Sequence, residues 1–430
     1  LTQTVPLSPE VEARLGEIGS VDLLVGIPSF NSAHTIGHVV EAAAAGLAKH
    51  FPGRRSVIVN SDGGSKDGTQ DAVRTAHFSS PEALLVSHPV APIQKIVTPY
   101  HGIPGKGSAF RTIFAIATRL KARACAVVDA DLRSVTPGWF ELLLGPVLDH
   151  GFDFVSPLYL RHKYDGTITN SIVYPLTRAL YGKDVRQPIG GDFGFSGRLA
   201  EHYQSKPVWE TDVARFGIDI WMTTTALAEG FRTCQAFLGA KIHDPKDPGS
   251  DLAGMLVQVV SSVFDLMGTY HPRWKEVSGV EEVPLFGFPY GVGLEPVSVD
   301  VGRMVAIFRQ GAKDLGEIWE RALSTETMGE IGALAAQDTA SFAFPDPLWV
   351  RTVYEVALAY HKRALPGEQL IRSLVPLYLG RTAAFVIATA SSDAAAVEAT
   401  IKATADEFLR QKGHALQGWG RGGPGGSHVE

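Results

Sequence analysis

Along the first 240 residues the chain alternates between two hydrophobic rhythms. Short, largely apolar runs fall at 21–27, 55–60, 93–98, 124–128, 152–156 and 231–239. Runs of this length with no polar face are the pattern of strands buried on both sides. Between them lie stretches of helical period, at 35–49, 69–76, 106–121, 137–150, 172–181 and 216–229. A further amphipathic helix is expected at 7–18, with Ser8 able to cap it and Pro9 in the first turn, where a missing N–H costs nothing. The first strand is expected to stop at Pro28. Repeated strand, loop and helix predict an α/β fold with a mainly parallel sheet, Rossmann-like, covered by helices on both faces. Its ligand crevice is expected outside the carboxyl ends of the strands.

Beyond about residue 251 the pattern turns helical, with helices expected at 250–267, 301–323, 325–336, 348–363, 367–379, 382–390 and 393–412. A Pro/Gly-rich stretch at 283–293 reads as a loop, and the glycine-rich 418–430 as a flexible tail. The division that follows is residues 1–266 as a catalytic domain, 267–417 as a helical region that lids a cleft or dimerises, and 418–430 as the tail. A homodimer is expected. No internal repeat is visible.

Composition narrows the function. A chain of 430 residues is long for one core, and 45% hydrophobic with 20% charged residues is ordinary for a folded soluble protein. The formal charge of −6 argues against a general nucleic-acid binder, whose affinity needs a basic face. Only two cysteines, Cys125 and Cys234, are present, which fits a reducing compartment and excludes a disulfide framework. No run is read as long enough to cross a bilayer and residues 1–20 carry no signal-peptide pattern, so a cytoplasmic protein without stable membrane insertion is expected.

The candidate chemistry sits where strands end. Val128-Asp-Ala-Asp-Leu132 sends Asp129 and Asp131 the same way if the segment is extended, and two anions at one site call for a cation such as a divalent metal carrying phosphate oxygens. The plain alternative is a strand-ending turn with a local Asp cap. Ser61-Asp-Gly-Gly-Ser65 places Asp62 and Gly63 to meet a base or ribose. Lys106, between two glycines at a helix start, can reach a diphosphate, although such a pair is by itself more often a turn. Gly190-Gly-Asp192 suits close approach to a sugar ring or is a plain helix-entry loop, and Asp219 lines the cleft or caps its helix. His243 leaves the last strand as the Asp pair leaves the fourth, and so could join Asp131 at a metal, where a lone histidine among charges is more often a solvated surface residue.

In order and spacing, Ile27-Pro-Ser-Phe-Asn31, Gly64-Ser-Lys-Asp-Gly-Thr69, Pro104-Gly-Lys-Gly107, Val128-Asp-Ala-Asp-Leu132, Gly145-Pro-Val-Leu148, Gln187-Pro-Ile-Gly-Gly-Asp192 and Phe216-Gly-Ile-Asp219 together resemble one family. It is the retaining GT-A glycosyltransferases typified by glucosyl-3-phosphoglycerate synthase, with mannosyl-3-phosphoglycerate and mannosylglycerate synthases as relatives. The likeness covers about residues 21–266. It implies a GT-A fold, a nucleotide-diphospho-sugar donor and Mg2+ or Mn2+. It implies that Pro28, Ser32, Asp62 and Gly63 hold the base, that Lys106 meets the nucleotide or its phosphates, and that Asp129 and Ala130 meet the ribose and donor sugar. Asp131 and His243 would hold the metal, Asp192 and Asp219 would be the catalytic pair orienting sugar hydroxyls, and Gly166, Thr167, Thr169, Gly190 and Gly191 would meet the acceptor. In a retaining transfer on one face the leaving phosphate oxygen can take the acceptor proton, whereas an inverting one would need one of these carboxylates as base.

Two positions depart from the family pattern. Asn31 and Ser32 stand where an acidic residue is common, and the acceptor-binding Gly-Arg-x-Thr appears as Gly166-Thr-Ile-Thr169, without the arginine that would pair an acceptor phosphate bidentately. A small carboxylate acceptor such as glycerate or glucosylglycerate is therefore expected at least as readily as 3-phosphoglycerate, with Arg161, His162 and Lys163 upstream as substitutes for the lost charge. The competing readings are a polyprenyl-phosphate or other GT-A sugar transferase, a sugar nucleotidyltransferase, whose arginine-containing glycine loop is not found after the first strand, and a non-catalytic sugar-nucleotide-binding protein.

Overall fold

The computed structural model describes residues 7–76, 93–99, 105–211, 213, 217–242, 252–291 and 297–419. The chain forms two compact units that alternate along the sequence, the first from residues 1–160, 185–246 and 283–293, the second from 161–184, 247–282 and 294–430. In chain order the strands are β1 (Leu23–Ser29), β2 (Ser56–Asp62), β3 (Ile93–Pro99), β4 (Ala124–Val127), β5 (Phe154–Leu160), β6 (Lys183–Asp184), β7 (Phe193–Ser196), β8 (Thr233–Ala240), β9 (Glu281–Glu282) and β10 (Leu285–Phe286).

Eight of them make the sheet of the first unit, in the order β10-β8-β5-β7-β4-β1-β2-β3. All neighbours run parallel except β7, which is antiparallel to both β4 and β5. The chain builds outward from β1 through β2 to β3 and then returns to set β4 on the other side of β1. That reversal opens a crevice at the carboxyl ends of β1 and β4, the position where sheets of this kind take ligands.

The continuous apolar runs follow from burial on both faces. Leu23, Val25 and Ile27 of β1 pack with Val39 and Val40 of helix Ile36–His50 and with Phe140, Leu143 and Leu144 of helix Pro137–His150. On the opposite face helix Lys106–Arg119 closes down on the sheet, where Phe114 meets Phe195 and Tyr203 with ring centroids 5.4 and 5.3 Å apart. The N-terminal helix Pro9–Ile18 has the expected cap, Ser8 Oγ accepting from Val11 N–H at 3.3 Å.

Four local expectations are corrected. β1 continues through Pro28 to Ser29, because its pairing with β4 ends at Gly26 and no N–H is needed on that side beyond it. The end of the 188–196 loop is strand β7, with Phe193 stacked on Phe154 at 5.3 Å and Phe195 against Phe114, so the alternation of two phenylalanines outweighs the flanking glycines. Residues 285–286, inside the expected 283–293 loop, pair with β8 as an edge strand. β4 ends at Val127 and residues 130–131 form a turn, so Asp129 and Asp131 are not on one extended segment.

Among the described residues the second unit is helical apart from the short β6–β9 pair. Its helices include Tyr174–Tyr181, Leu252–Thr269, Val301–Asp314, Thr325–Ala335, Asp346–His361, Gly367–Ala388 and Ala394–Trp419. The two helices expected at 367–379 and 382–390 are one. Gly380, between the two expected helices, is where Phe308 of helix Val301–Asp314 packs, and a Cβ there would lie 2.8 Å from its ring. This helix is long and apolar enough to cross a membrane by length and composition, which corrects the sequence expectation, but 67% of its most apolar stretch is buried within the protein. Residues 420–430 of the expected tail lie outside the described residues.

Candidate functional site

Three carboxylates and two ammonium groups of the first unit converge beside the β1–β4 crevice. Asp129 follows β4, Asp192 immediately precedes β7, Asp219 lies in the first turn of helix Ile218–Ala228, Lys106 opens helix Lys106–Arg119, and Lys241 follows β8. Strand order explains the meeting, since β4 and β7 are neighbours and β8 is one strand further on, beyond β5.

The two oxygens of Asp129 are shared between the lysines. Oδ1 is 2.8 Å from Lys106 Nζ and Oδ2 is 2.8 Å from Lys241 Nζ. Lys106 Nζ also donates to Asp219 Oδ2 at 3.2 Å and to the Gly191 carbonyl at 3.3 Å. Lys241 Nζ donates to Asp192 Oδ2 at 2.7 Å and to the Gly190 carbonyl at 2.9 Å. Asp192 completes its shell with Asp129 N–H on Oδ1 at 2.8 Å and the Tyr159 hydroxyl on Oδ2. Tyr159 is itself fixed by Gln187, whose side chain accepts from its N–H at 3.1 Å and donates to its carbonyl at 2.9 Å. Gly191, at φ +89°, has to be glycine here, because a Cβ would stand 2.5 Å from Asp129 Oδ2.

Burial sets the charges. Water is scarce, with the side chain of Lys241 6% exposed and that of Asp192 fully buried. Burial disfavours charge on Asp129, yet Lys106 and Lys241 prevail and hold its carboxyl far below the usual range. Burial likewise opposes charge on Lys106, and Asp129 and Asp219 more than offset it, raising its pKa. For Asp192 and Asp219 burial prevails over the lysines, and the neighbouring Asp129 adds to it, so both carboxyls are raised. The cluster has one more carboxylate than ammonium. An extra cation or a retained proton is the natural complement.

A second set of loops lies along the carboxyl ends of β1 and β2. Asp62 is fully buried, accepting from Gly64 N–H, Ser65 N–H and Gln70 Nε2 at 2.9 Å each, from Ser29 Oγ at 2.9 Å and from Ser65 Oγ at 2.6 Å. Its carboxylate therefore shapes the loop that was expected to meet a base or ribose. Gly63 N–H donates to Ser29 O at 2.8 Å just after Pro28, and Ser32 N–H donates to Thr69 Oγ1 at 2.8 Å. Asn31 is bound into the same lacing, its N–H donating to Ser65 Oγ at 2.8 Å and its Oδ1 accepting from Lys66 N–H at 3.1 Å. The Ala130 carbonyl accepts from Thr35 Oγ1 at 2.8 Å, which ties the turn after β4 to the first loop.

Of the expected site residues, Lys106, Asp129, Gly190, Gly191, Asp192 and Asp219 come together. Asp219 reaches Lys106 rather than capping its helix. Asp192, expected to orient sugar hydroxyls, is wholly buried with internal donors on both oxygens. Asp131 lies half-buried in the turn that follows β4. His243 lies outside the described residues, as does Phe216 of the Phe216-Gly-Ile-Asp219 motif and Pro104 of the Lys106 loop. Among the described residues no group of three or more His, Cys, Asp or Glu side chains is placed to hold a metal ion. Lys241 was missed, since a lysine after an apolar strand carries no signal in sequence; only its place two residues before His243 could have drawn attention to it.

Gly166, Thr167 and Thr169 belong to the second unit. Gly166, at φ +67°, accepts from Asn170 N–H at 3.0 Å, Thr167 shares a hydrogen bond with the Tyr378 hydroxyl, and Thr169 opens a short π-helical turn to Val173. Lys163, a candidate substitute for the absent arginine, donates instead to the carbonyls of Thr389, Ala390 and Ser392 at 2.8, 3.0 and 3.3 Å. Arg161 lies 3.6 Å from Asp165. Cys125 and Cys234 are free and buried, and burial pushes both thiols up, which suits packing rather than nucleophilic chemistry.

Residues 24–196 match the profile of glycosyl transferase family 2. No curated protein matches the chain. Similar solved structures include glucosyl-3-phosphoglycerate synthase from Mycobacterium tuberculosis in complex with phosphoglyceric acid, 19% identical, covering 59% of this chain and 84% of that one with a TM-score of 0.43. The same enzyme in complex with Mg2+ and uridine diphosphate is 20% identical, covering 59% and 83% with a TM-score of 0.44. A mycobacterial protein is 22% identical, covering 60% and 78% with a TM-score of 0.44. The profile match takes in most of the strands of the mainly parallel sheet, whose arrangement is GT-A-like.

Proposed function

We propose that the chain is a retaining glycosyltransferase that moves a hexose, glucose or mannose, from a nucleotide-diphospho-sugar to a small carboxylate acceptor such as glycerate, 3-phosphoglycerate or glucosylglycerate. The observation that carries this reading is the buried cluster of Asp129, Asp192, Asp219, Lys106 and Lys241 at the crevice of a domain with a family 2 profile.

In this reading Pro28, Ser32 and Gly63 border the base, and Asp62 acts through the loop it holds. Asp129 faces the ribose and donor sugar, next to Ala130. Lys106, the more exposed of the two lysines with 16% of its side chain open, supplies positive charge toward the diphosphate as charge grows on the leaving group. Asp219 shares that lysine and orients a sugar hydroxyl. The leaving phosphate oxygen takes the acceptor proton, so no residue of the chain has to act as base. Gly166, Thr167, Thr169, Gly190 and Gly191 are the acceptor candidates.

Mg2+ or Mn2+ fits the donor set. Arg133 N–H donates to Ile242 O at 2.9 Å and Ile242 N–H donates to Ser134 Oγ at 2.9 Å, so the residue before His243 lies against the segment that follows Asp131. A carboxylate and an imidazole are ligands that these ions accept alongside phosphate oxygens. Bound there by Asp131 and His243, the ion would neutralise diphosphate charge.

The test is a thermal-shift panel of UDP-, GDP- and ADP-sugars with and without Mg2+, followed by an acceptor screen. One sugar nucleotide is expected to raise the melting temperature only with metal, through mass action on the folded state, and the Asp131→Ala variant is expected to lose that rise. A panel in which no sugar nucleotide stabilises the protein would sink the proposal. Turnover of phosphorylated glycerate alone would remove the wider acceptor range.

A further inference from the structure

We propose that Lys241 is a positioning residue of this site, joining Asp129, Asp192 and the Gly190 carbonyl into one unit that fixes the donor-facing carboxylate. The proposal rests on the transfer reading for the role of Asp129, and on geometry alone for the tie itself.

The three donors of the Lys241 ammonium all have acceptors, Asp192 Oδ2 at 2.7 Å, Asp129 Oδ2 at 2.8 Å and Gly190 O at 2.9 Å. An ammonium with that shell and 6% side-chain exposure is set for geometry rather than for reaching a ligand. What it holds is the reactive edge. Asp129 has one oxygen on Lys241 and the other on Lys106, so removing Lys241 frees the carboxylate to rotate about its remaining partner. Among the described residues Asp192 has no other cation within ion-pair distance, and the Tyr159 hydroxyl and Asp129 N–H on its oxygens are neutral donors. Lys241 is thus the counter-charge of a fully buried carboxylate. Its Nζ also lies 5.4 Å from the centroid of the Tyr159 ring. The backbone continues to Ile242, whose carbonyl and N–H are pinned by Arg133 and Ser134, so the same strand end meets both sides of the Asp129–Asp131 turn.

The experiment combines kinetics with a stability cycle on the full chain, using Lys241→Met, Asp192→Asn, the double variant and Lys241→Arg. In Lys241→Met, kcat/KM for the donor is expected to fall about 10–100-fold, as for groups that orient ligating or substrate-facing residues, with acceptor KM unchanged. Lys241→Arg, which keeps the charge, should recover part of that loss. The melting temperature should drop in Lys241→Met, which strands a buried carboxylate, and should rise again when Asp192→Asn is added, while donor turnover stays low because Asp129 remains loose. A Lys241→Met enzyme with wild-type donor kinetics overturns the positioning role even if the stability cycle shows coupling. A double variant that melts no higher than Lys241→Met overturns the tie. If Lys241→Met does not fold, Lys241→Gln carries the same two comparisons. Should the wild-type protein turn over no sugar nucleotide, the transfer reading fails, and the stability cycle still decides whether Lys241 holds Asp192.

Discussion

The backbone N–H of Asp129 donates to the carboxylate of Asp192 at 2.8 Å, joining the end of β4 to the start of its antiparallel neighbour β7. One residue that the sequence puts at a strand end is thereby held by another from a glycine-rich loop. The two anions sit together because Lys241 bridges them and Lys106 takes the far oxygen of Asp129.

In the proposed transfer Lys106 is the cation that the site can least spare. Lys106→Met removes the partner of Asp219 and half the anchorage of Asp129. Breaking a buried pair of this kind by deleting one member costs about 3 kcal/mol, and donor turnover should fall about 100-fold or more. Chemical denaturation together with donor hydrolysis measures both. Wild-type kinetics in this variant would show that the ammonium has no part in the reaction.

Gly191 tests how tightly the cluster is built. An alanine there meets Asp129 Oδ2 at 2.5 Å and Lys241 Nζ at 2.8 Å on a backbone at φ +89°. The expected cost of Gly191→Ala is about 1–3 kcal/mol in urea unfolding, with most of the donor activity lost because Asp129 has to turn away. A variant with normal stability and activity would mean that the loop relaxes freely.

The sheet was legible because its chemistry is repetitive. Short, largely apolar runs such as 21–27 and 124–128, bounded by turn residues, fit a strand covered on both faces, and β1 and β4 are found there. Lys106, Asp129 and Asp219 could be singled out because each stands at a helix start or strand end, where ligand edges lie. Strand β7 was hidden, since its Phe-Gly-Phe-Ser alternation is too short to outweigh the glycines before it, and the edge strand β10 is only two residues long. Lys241 was hidden for a different reason, because nothing local distinguishes a buried, paired lysine from a solvated one. Its role exists only once residues 129, 192 and 241 are brought together by strand order. The alternation of the two units along the chain is equally non-local, with residues 161–184 belonging to the helical unit although they lie between strands of the sheet in sequence.

Asp62 gives a pH signature. Burial alone would raise its carboxyl, but hydrogen bonds from Ser65, Gln70 and Ser29 prevail and hold it below the usual range. A depressed carboxyl contributes stability above its unfolded pKa, about 3.9, and loses it as pH falls through the folded value. Asp62→Asn should therefore cost about 1.5–3 kcal/mol near neutral pH, with the gap from wild type closing below about pH 4. Melting temperatures of both proteins across that range decide it, and a gap that does not change with pH would show that the charge is not what the loop donors recognise.

Lys163 separates a structural lysine from an acceptor-binding one. Its ammonium donates to the carbonyls of Thr389, Ala390 and Ser392, in the turn that follows helix Gly367–Ala388. A cation at a helix C-terminus that also satisfies those carbonyls is worth about 1–2 kcal/mol. Lys163→Ala should lower stability by that amount in urea unfolding while leaving the KM for a carboxylate acceptor unchanged. Lys163→Arg should retain most of the loss-free behaviour, since the charge and several donors remain. A variant of normal stability whose acceptor KM rises tenfold would return Lys163 to the acceptor site, in the place left by the arginine missing from Gly166-Thr-Ile-Thr169.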